Sequence, residues 1–269
     1  GIVLPEVNHH FFASVLDGIE QTANEAGYNI IICQTGENVE KEVQSIQTLM
    51  GSRVAGILAG ISKQTCTFQH LQEVINADIP LVLYDRPCPS LPCDQVVSDD
   101  YLGAFKAVEY LIQTGCQRIM YFSSPMQLEV AHRRYQGWRD ALQRYNMPID
   151  DSMIVTCDSR AQAIIETPMV LKRADKPDAI FCVNDDCASG VLYAAQILGL
   201  KIPEELAICG FSNAPLCRNT FPMLTTVEQH GVEIGKHAII RLLKRLSGDE
   251  RIAQTEMIAT DLIVRETTK

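Results

Sequence analysis

Short apolar runs alternate with amphipathic stretches along almost the whole chain. The apolar runs have strand length and predict strands at residues 2–4, 28–33, 54–59, 80–84, 95–97, 118–122, 153–157, 179–183, 206–209 and 257–264. The stretches between them repeat apolar residues at helical spacing and often end at a glycine, such as Gly27 or Gly115. Nearly continuous apolar strands separated by helices are typical of parallel sheets covered on both faces. The pattern therefore predicts an α/β protein.

The clearest β-α-β unit begins with the apolar run 179–183. This run ends in Asn184-Asp185-Asp186, and a helix follows directly. We expect Asp185 or Asp186 to cap that helix and Asn184 to remain in the strand. Ligands of open α/β sheets bind beyond the carboxyl ends of the strands. The three polar side chains thus mark a candidate ligand site.

The alternation of strands and helices occurs in two runs of about equal length. Two such runs predict two similar lobes, each built on a doubly wound parallel sheet. Asn38 and Asp99 are expected to cap the helices that follow them. Pro168 is expected to interrupt the helix predicted over residues 161–173, because proline removes a helical hydrogen bond.

The chain has 269 residues, a formal net charge of -10 and a pI near 5.1. An acidic balance disfavours a large interface with nucleic-acid phosphates. No apolar run reaches membrane-spanning length, and the first residues do not have the pattern of a signal peptide. Because the chain starts at Gly1 without Met, directly in a predicted strand, we expect a fragment or a processed form of a longer protein.

Candidate chemistry is sparse in this sequence. The ten cysteines form no Cys-x-x-Cys pair, which favours small buried thiols in a reducing cytoplasm over a zinc site. The sequence contains none of the nucleotide-binding, serine-hydrolase, zinc-peptidase or calcium-loop motifs. His9-His10 follows the first strand, where a polar lining of a cleft is favoured over a metal site. We therefore predict no catalytic residue, no metal and no cofactor.

Five segments, in order along the chain, resemble one known family. They are residues 1–12 with 18–20 and 26–28, 53–58 with 80–86, 97–104, 184–190, and 210–211 with 222–229 and 262–266. Through these segments the whole chain resembles the effector-binding domain of the lactose-repressor/galactose-repressor family of transcription regulators. Each segment is short, and the resemblance rests on their order and spacing.

The resemblance implies a two-lobed fold like that of periplasmic sugar-binding proteins. One lobe would contain residues 1–98 and 230–248, and the other would contain 99–229 and 249–269. The chain would cross between them near Ser98, Val227 and Gly248, and the strand 257–264 would belong to the second lobe. A DNA-binding helix-turn-helix domain would precede residue 1, so operator DNA would be contacted only outside this chain.

The same resemblance implies a ligand-binding cleft between the lobes. Its expected lining is Asn8, Phe12, Asp85, Arg134, Asn184, Asp186, Ser212 and Gln229. Asp85 would accept hydrogen bonds from ligand hydroxyls, Arg134 would donate them, and Asn184 would do both. This mixture of groups suits a small polyol, a sugar or a related compound. Phe12 also fits the core of its own helix, and Arg134 also fits an ion pair.

Four positions depart from the family pattern. Ser212 stands where an Asp is usual, and His230 stands where a Pro is common. The His9-His10 pair replaces an Asn-Pro-like step, and Pro168 interrupts a helix that is usually unbroken. The first three lie near the expected cleft, which leaves room for a ligand that differs from the family's familiar ones.

Three function classes fit a two-lobed α/β fold: a ligand sensor of a transcription regulator, a periplasmic sugar-binding protein of a transporter, and an enzyme. The missing signal peptide and the many cysteines disfavour the second class, and the absence of a nucleophile with its base disfavours the third. We expect a cytoplasmic sugar-sensing domain that alters the DNA binding of a full-length homodimer. The helix 39–50 is our candidate for the dimer surface.

Overall fold

The computed structural model describes all residues, 1–269. The strands are β1 (Ile2–Leu4), β2 (Ile32–Gln34), β3 (Ile57–Gly60), β4 (Leu81–Tyr84), β5 (Asp94–Ser98), β6 (Ile119–Ser123), β7 (Ile154–Thr156), β8 (Ala179–Cys182), β9 (Ala207–Cys209), β10 (Thr226–Glu228), β11 (Thr255–Ile258) and β12 (Asp261–Ile263). The helices are α1 (His10–Glu25), α2 (Val39–Gly51), α3 (Gln69–Asn76), α4 (Asp100–Gln113), α5 (Glu129–Arg144), α6 (Arg160–Leu171), α7 (Asp185–Ile197) and α8 (Gly231–Leu246). Short 3-10 helices occupy Asp151–Met153 and Pro215–Arg218.

These elements belong to two units. Unit 1 contains Gly1–Ser98 and His230–Ile258, and unit 2 contains Asp99–Gln229 and Ala259–Lys269. Each unit is built on a parallel sheet with helices between its strands, so the predicted α/β fold is confirmed. No helix combines the length and the apolar character that crossing a bilayer requires.

Unit 1 is organised by a six-stranded parallel sheet in the order β11-β5-β4-β3-β1-β2. Successive residues of β1 point to opposite faces, as the pleat of a strand requires. Ile2 and Leu4 pack with α1 and α8 in one hydrophobic cluster, and Val3 packs with α2 and α3 in another. Both faces of the sheet are therefore covered, which explains why its central strands are apolar throughout.

Unit 2 is organised by a four-stranded parallel sheet in the order β7-β6-β8-β9. Strands β10 and β12 form a separate antiparallel pair. One large hydrophobic cluster unites the sheet with α4, α5, α6 and α7. At its centre, the indole of Trp138 is fully buried and donates a hydrogen bond to the carbonyl of Ile119 at 3.0 Å. This bond satisfies the one polar atom of the indole.

The predicted single strand 257–264 is wrong. Thr255–Ile258 pairs in parallel with Asp94–Ser98 in unit 1, and Asp261–Ile263 pairs with β10 in unit 2. Residues 249–258 therefore belong to unit 1, and the chain leaves that unit after Ile258 rather than near Gly248. The strand β11 lies at the edge of its sheet with alternate residues exposed, so its polar residues hid it from a search for apolar runs.

Pro168 does not break its helix, contrary to the prediction. α6 continues through it from Arg160 to Leu171, although proline supplies no hydrogen bond to the preceding turn. Ala163, Thr167 and Val170 are buried on one side of α6, which packs along α7. The burial of this face offsets the lost bond, so tertiary packing outweighs the local preference.

The caps predicted at Asn38 and Asp99 are confirmed, whereas the cap predicted at Asp185 or Asp186 is wrong, because Asn184 caps α7. The side chain of Asn38 accepts a hydrogen bond from the backbone N–H of Lys41 at 2.9 Å, and Asp99 accepts one from Leu102 at 3.0 Å. Each cap satisfies a backbone donor that the first turn of its helix leaves without an internal partner.

Helices α1 and α8 approach closely at two glycines. A Cβ atom on Gly235 would lie 2.0 Å from the carbonyl oxygen of Val15, and one on Gly18 would lie 2.1 Å from that of Val232. Both contacts are with backbone, which cannot rotate away as a side chain can. The two helices can therefore pack this closely only because Gly18 and Gly235 have no side chain.

Replacing Gly235 with Ala should destabilise the protein by about 1–3 kcal/mol, because the added methyl group forces the two helices apart. The measurement is the free energy of unfolding from urea titrations followed by circular dichroism. Gly51→Ala is the matched control, since nothing lies within 4 Å of its Cβ position at the end of α2. Equal stability of the two variants would contradict the close approach.

Candidate functional site

The carboxyl end of β4 in unit 1 carries Asp85 in an unusual backbone conformation. Its φ angle is 68°, in the left-handed region, and the residue is buried. Its backbone N–H donates to the carbonyl of Val96 at 3.0 Å. A left-handed conformation at a residue with a side chain is uncommon and is often found at functional sites. The structure thus fixes Asp85 at the strand end, where a ligand is expected.

Arg86, next to Asp85, is a functional candidate that the sequence did not reveal. Its guanidinium is buried and forms two parallel hydrogen bonds to Glu37, both at 2.7 Å, and a third to the carbonyl of Ile61. It also lies over the ring of Phe12, 5.5 Å from the centroid. Burial would lower the pKa of Arg86, but the hydrogen bonds and charge of Glu37 raise it, and the net shift is upward. Its position directly after Asp85 is the signal that could have identified it.

A second carboxylate, Glu42 of α2, holds the loop after β3. It accepts hydrogen bonds from the backbone N–H of Ser62, from Thr65 at 3.0 Å and from His70 at 2.7 Å. Burial raises the pKa of Glu42, but the hydrogen bonds from His70 and Ser62 outweigh it and lower the pKa overall. Because the loop lies at the carboxyl end of β3, beside that of β4, Glu42 fixes one wall of the candidate site.

In unit 2, Asn184 is the cap of α7 and not a strand residue, contrary to the prediction. Its side-chain oxygen accepts from the backbone N–H of Cys187 at 2.8 Å, and its side-chain nitrogen donates to the carbonyl of Asp158 at 2.7 Å. A side-chain amide has two donor hydrogens and two acceptor lone pairs. Half of this capacity is used inside the unit, and half remains for other partners.

Asp185, the first residue of α7, links segments of unit 2 through its buried carboxylate. Its buried carboxylate accepts from the backbone N–H of Ala214 at 2.7 Å and from the hydroxyl of Thr226 at 2.5 Å. Burial raises the pKa of Asp185 to about 6, and these two hydrogen bonds oppose the rise. The carboxylate joins the start of α7 to the loop after β9 and to β10.

Arg134 forms a buried ion pair, one of the two roles expected for it. Its guanidinium contacts Asp100 through Nε at 2.8 Å and Nη2 at 2.6 Å, and Nη1 donates to the carbonyl of Val183. The ring of Phe211 lies against the guanidinium, 3.8 Å from the centroid. Burial raises the pKa of Asp100 in spite of this cation. The bond to Val183 places Arg134 beside Asn184, as predicted, and two of its five donor hydrogens remain.

Ser212 follows Phe211 with a φ of 118°, a conformation that few residues other than glycine adopt. Its backbone N–H donates to Val227 and its hydroxyl donates to the side-chain oxygen of Gln229, both at 2.7 Å. Both Ser212 and Gln229 are buried. The hydroxyl of Ser212 is therefore held by Gln229. The strained backbone of Ser212 persists because these hydrogen bonds hold the residue in place.

The remaining residues predicted for the ligand site are either buried in a core or exposed on the surface. Phe12 is buried in the core of unit 1, as its helical spacing suggested, with its ring facing Arg86. Asn8 is exposed in the loop after β1. Asp186 is also exposed and lines a surface groove of about 360 Å³ with Ser189 and Tyr193. Asp186 thus lies on the outer side of α7, whereas Arg134, Asn184, Ser212 and Gln229 surround the carboxyl end of the sheet.

No group of three or more histidine, cysteine or acidic side chains has an arrangement that could hold a metal ion. His70 is bonded to Glu42, and His237 is bonded to Glu256 at 2.7 Å. The buried cysteines are free thiols. Burial is the main cause of the raised pKa at Cys93 and Cys209, whereas at Cys157 the hydrogen bond with Cys187 raises the pKa most. Protonated thiols are poor ligands and poor nucleophiles. At the two sheet ends, the side chains described above are hydrogen-bond donors and acceptors.

Comparisons with known proteins agree with this architecture. The family model described as a periplasmic binding protein-like domain matches residues 108–268. The repressor PurR of Vibrio vulnificus is 32% identical over 275 aligned residues, which cover 100% of this chain and 80% of the relative. The chain belongs to the lactose-repressor/galactose-repressor family of transcription regulators. The ribose operon repressor of Halalkalibacterium halodurans, another member, is 31% identical over 100% of this chain and 79% of its own length.

A solved structure of the family shows the same fold. The periplasmic binding protein/LacI transcriptional regulator from Alkaliphilus metalliredigens, complexed with D-xylulofuranose, superposes with a TM-score of 0.87 at 28% identity. The similarity covers 100% of this chain and 98% of that one. The two relatives from Vibrio vulnificus and Halalkalibacterium halodurans are repressors, and they support a ligand-sensing regulator domain.

The raised pKa of Asp185 predicts a pH dependence of stability. The folded state holds this proton up to about pH 6, whereas an unfolded Asp releases it near 3.8. The protonated carboxyl of Asp185 therefore contributes its full stabilisation of the folded state below about pH 4. This stabilisation is lost as the pH rises to about 6. The shift of about two pKa units corresponds to roughly 3 kcal/mol.

Urea unfolding of the parent and of Asp185→Asn at several pH values between 4 and 7.5 tests this dependence. The stability advantage of the parent over the variant should shrink as the pH rises through this window. Asp186→Asn removes the same charge from an exposed side chain of the same turn and serves as the control. A pH-independent difference between the parent and Asp185→Asn would contradict the assignment.

Proposed function

We propose that this chain is the sensing domain of a transcription regulator and that it binds a small polyol, a sugar or a sugar derivative. One observation carries the proposal. Each unit has, at the carboxyl end of its parallel sheet, a buried ion-paired arginine beside a polar side chain: Arg86 beside Asp85, and Arg134 beside Asn184. Ligands of such sheets bind at these ends. Membership of a repressor family supports the same function.

Each unit, taken by itself, offers candidate ligand contacts. In unit 1, Asp85 accepts hydrogen bonds from ligand hydroxyls, with Phe12 and Asn8 nearby. In unit 2, Arg134 and Asn184 use the donors and acceptors that their internal bonds leave, together with Ser212, Gln229 and Asp186. A pentose is the first compound to test, because one relative is a ribose operon repressor and one similar structure holds D-xylulofuranose.

The proposed mechanism is a shift between two conformations of the protein. A ligand favours one conformation only through its higher affinity for that conformation. In a full-length protein with a DNA-binding domain before residue 1, this shift changes the affinity for operator DNA. The coupling is reciprocal, so DNA changes the affinity for the ligand by the same factor. Such a regulator acts in the cytoplasm, and the transporter alternative is not favoured by the relatives, which are repressors.

We also propose a homodimer, supported by exposed apolar side chains on both units. Unit 2 exposes Tyr193 and Ile197 on α7 and, in the loop before β10, Phe221, whose exposed fraction is 86%. Unit 1 exposes Ile31 and Ile32 at the edge strand β2. Isolated apolar side chains on a surface are ordinary, but grouped ones often mark an interface.

The helix 39–50, our first candidate for the dimer surface, buries its apolar side chains in its own unit. Ile46 and Leu49 pack in the core of unit 1, and the outward residues of α2 are polar. The helix therefore stays a candidate only for the polar rim of a dimer interface, beside β2.

Asp85→Ala and Asn184→Ala should each weaken ligand binding by about tenfold to a hundredfold. Each truncation removes a hydrogen bond worth roughly 1.5–3 kcal/mol when one partner is charged, or somewhat less for the amide. The measurement is isothermal titration calorimetry with the sugar that raises the melting temperature most in a screen beginning with D-ribose and D-xylulose. Asn184→Ala should also lose about 1 kcal/mol of stability, because Asn184 caps α7.

Asp99→Ala is the control for these variants. Asp99 caps α4, so its loss should lower stability by about 1 kcal/mol and leave the affinity for the sugar unchanged. If Asp85→Ala and Asn184→Ala bind like the parent, the ligand lies elsewhere.

Ile197→Lys should weaken the homodimer at least tenfold, because it places a charge in the proposed apolar interface on α7. The measurement is the dissociation constant from sedimentation equilibrium at micromolar concentrations. Ile252→Lys changes a similarly exposed side chain outside this patch, with an exposed fraction of 88%, and should behave like the parent. A parent that is monomeric at tens of micromolar would refute the dimer, and equal behaviour of the two variants would refute this surface.

A further inference from the structure

The guanidinium of Arg86 is held by a carboxylate from a distant part of unit 1. Glu37 lies in the connection between β2 and α2, and its two oxygens accept from Nη1 and Nη2 of Arg86 at 2.7 Å each. Parallel bonds of this kind are the strongest geometry for an arginine–carboxylate pair. Both groups are largely buried, so water screens their attraction weakly.

Glu37 cannot turn away from Arg86 without breaking other bonds. It has a left-handed backbone with a φ of 60°, and its Oε2 also accepts from the backbone N–H of Lys63 at 2.6 Å. The neighbouring hydroxyls of Thr35 and Ser62 are bonded to each other at 2.8 Å. The connection that carries Glu37 is thus fastened to the loop after β3, and the ion pair is part of a fixed structure.

This pairing leaves one side of the guanidinium without an acceptor at bonding distance. Both hydrogens of Nη1 are used, by Glu37 and by the carbonyl of Ile61. The buried Nε has no hydrogen-bond partner, and its nearest ionic neighbour is Oδ2 of Asp85 at 3.6 Å. Arg86 therefore still has donors near Asp85, while its positive charge is already balanced.

We infer that Glu37 determines the charge of the ligands that this site accepts, and that it excludes anionic compounds such as sugar phosphates. It acts through Arg86, whose charge it cancels, so that the guanidinium has no unbalanced positive charge to attract an anion. An arginine without its carboxylate is a strong receptor for phosphate. With Glu37 in place, Arg86 donates hydrogen bonds to neutral hydroxyls. This inference rests on the proposed function of the strand ends, and it makes Glu37 a specificity-determining residue.

The test compares the parent with Glu37→Gln, which keeps the shape of the side chain and removes its charge. Inorganic phosphate is the probe, titrated by calorimetry and by thermal shift at constant ionic strength. The variant should bind phosphate at least tenfold more tightly than the parent, and adding Arg86→Gln should abolish the gain. Glu40→Gln is the matched control, because Glu40 lies exposed in the first turn of α2 and the substitution changes the net charge equally.

Two results would overturn the inference: equal phosphate affinities of Glu37→Gln and the parent, or an equal gain in Glu40→Gln. If Glu37→Gln does not fold, Glu37→Ala replaces it, since this substitution also removes the charge. A gain in phosphate affinity is expected there too, and no gain counts against the inference.

D-ribose and D-ribose 5-phosphate form the second pair of probes, tested on the parent. Tighter binding of the phosphorylated sugar would overturn the role of Glu37 while the sensing function stands. Failure of every neutral sugar, together with a phosphate gain in Glu37→Gln, would instead refute the proposed ligand class and leave the role of Glu37 intact.

Discussion

Two arginines are buried at the carboxyl ends of the sheets, and the rest of each site depends on how their charges are balanced. An isolated buried charge costs several kcal/mol, and attraction to a partner offsets this only when the geometry is good and the other donors are bonded. Arg86 meets this condition with Glu37 and a backbone carbonyl, and Arg134 meets it with Asp100, another carbonyl and the ring of Phe211. Each unit therefore neutralises the charge of its arginine with a carboxylate of the same unit.

This internal balance has a consequence for function. Because each arginine is already neutralised by a carboxylate of its own unit, the polyol that we propose as the ligand needs only a modest set of hydrogen bonds. Such a site suits a sensor. A ligand shifts the equilibrium between two conformations of a protein only through the difference between its affinities for them. The same balance explains how the strand ends can be polar and buried in a chain whose stability comes from apolar cores.

Backbone strain collects at the same places. Glu37, Asp85 and Ser212 all have positive φ angles, and each follows a strand of its unit. Such conformations cost of order 1–3 kcal/mol each and persist where the surroundings hold them. Here the surroundings are the ion pairs and hydrogen bonds of the site itself, as between Ser212 and Gln229. Binding groups and strained backbone thus support one another.

The sequence by itself determined the parallel α/β architecture, because strand-length apolar runs that alternate with amphipathic helical stretches are typical of parallel sheets covered on both faces. It also predicted Asp85 and Asn184 at the carboxyl ends of strands, each in its own unit, and the family resemblance added Arg134. The tertiary structure alone decided which side chains and which strands pair with one another. Arg86 and Glu37 are 49 positions apart, and β11 joins a sheet whose neighbouring strand lies far back in the chain. Asn184 caps α7 through a local bond from Cys187, and its bond to the carbonyl of Asp158 joins segments 26 positions apart. Pairing between distant segments depends on packing, and no local pattern of residues records it.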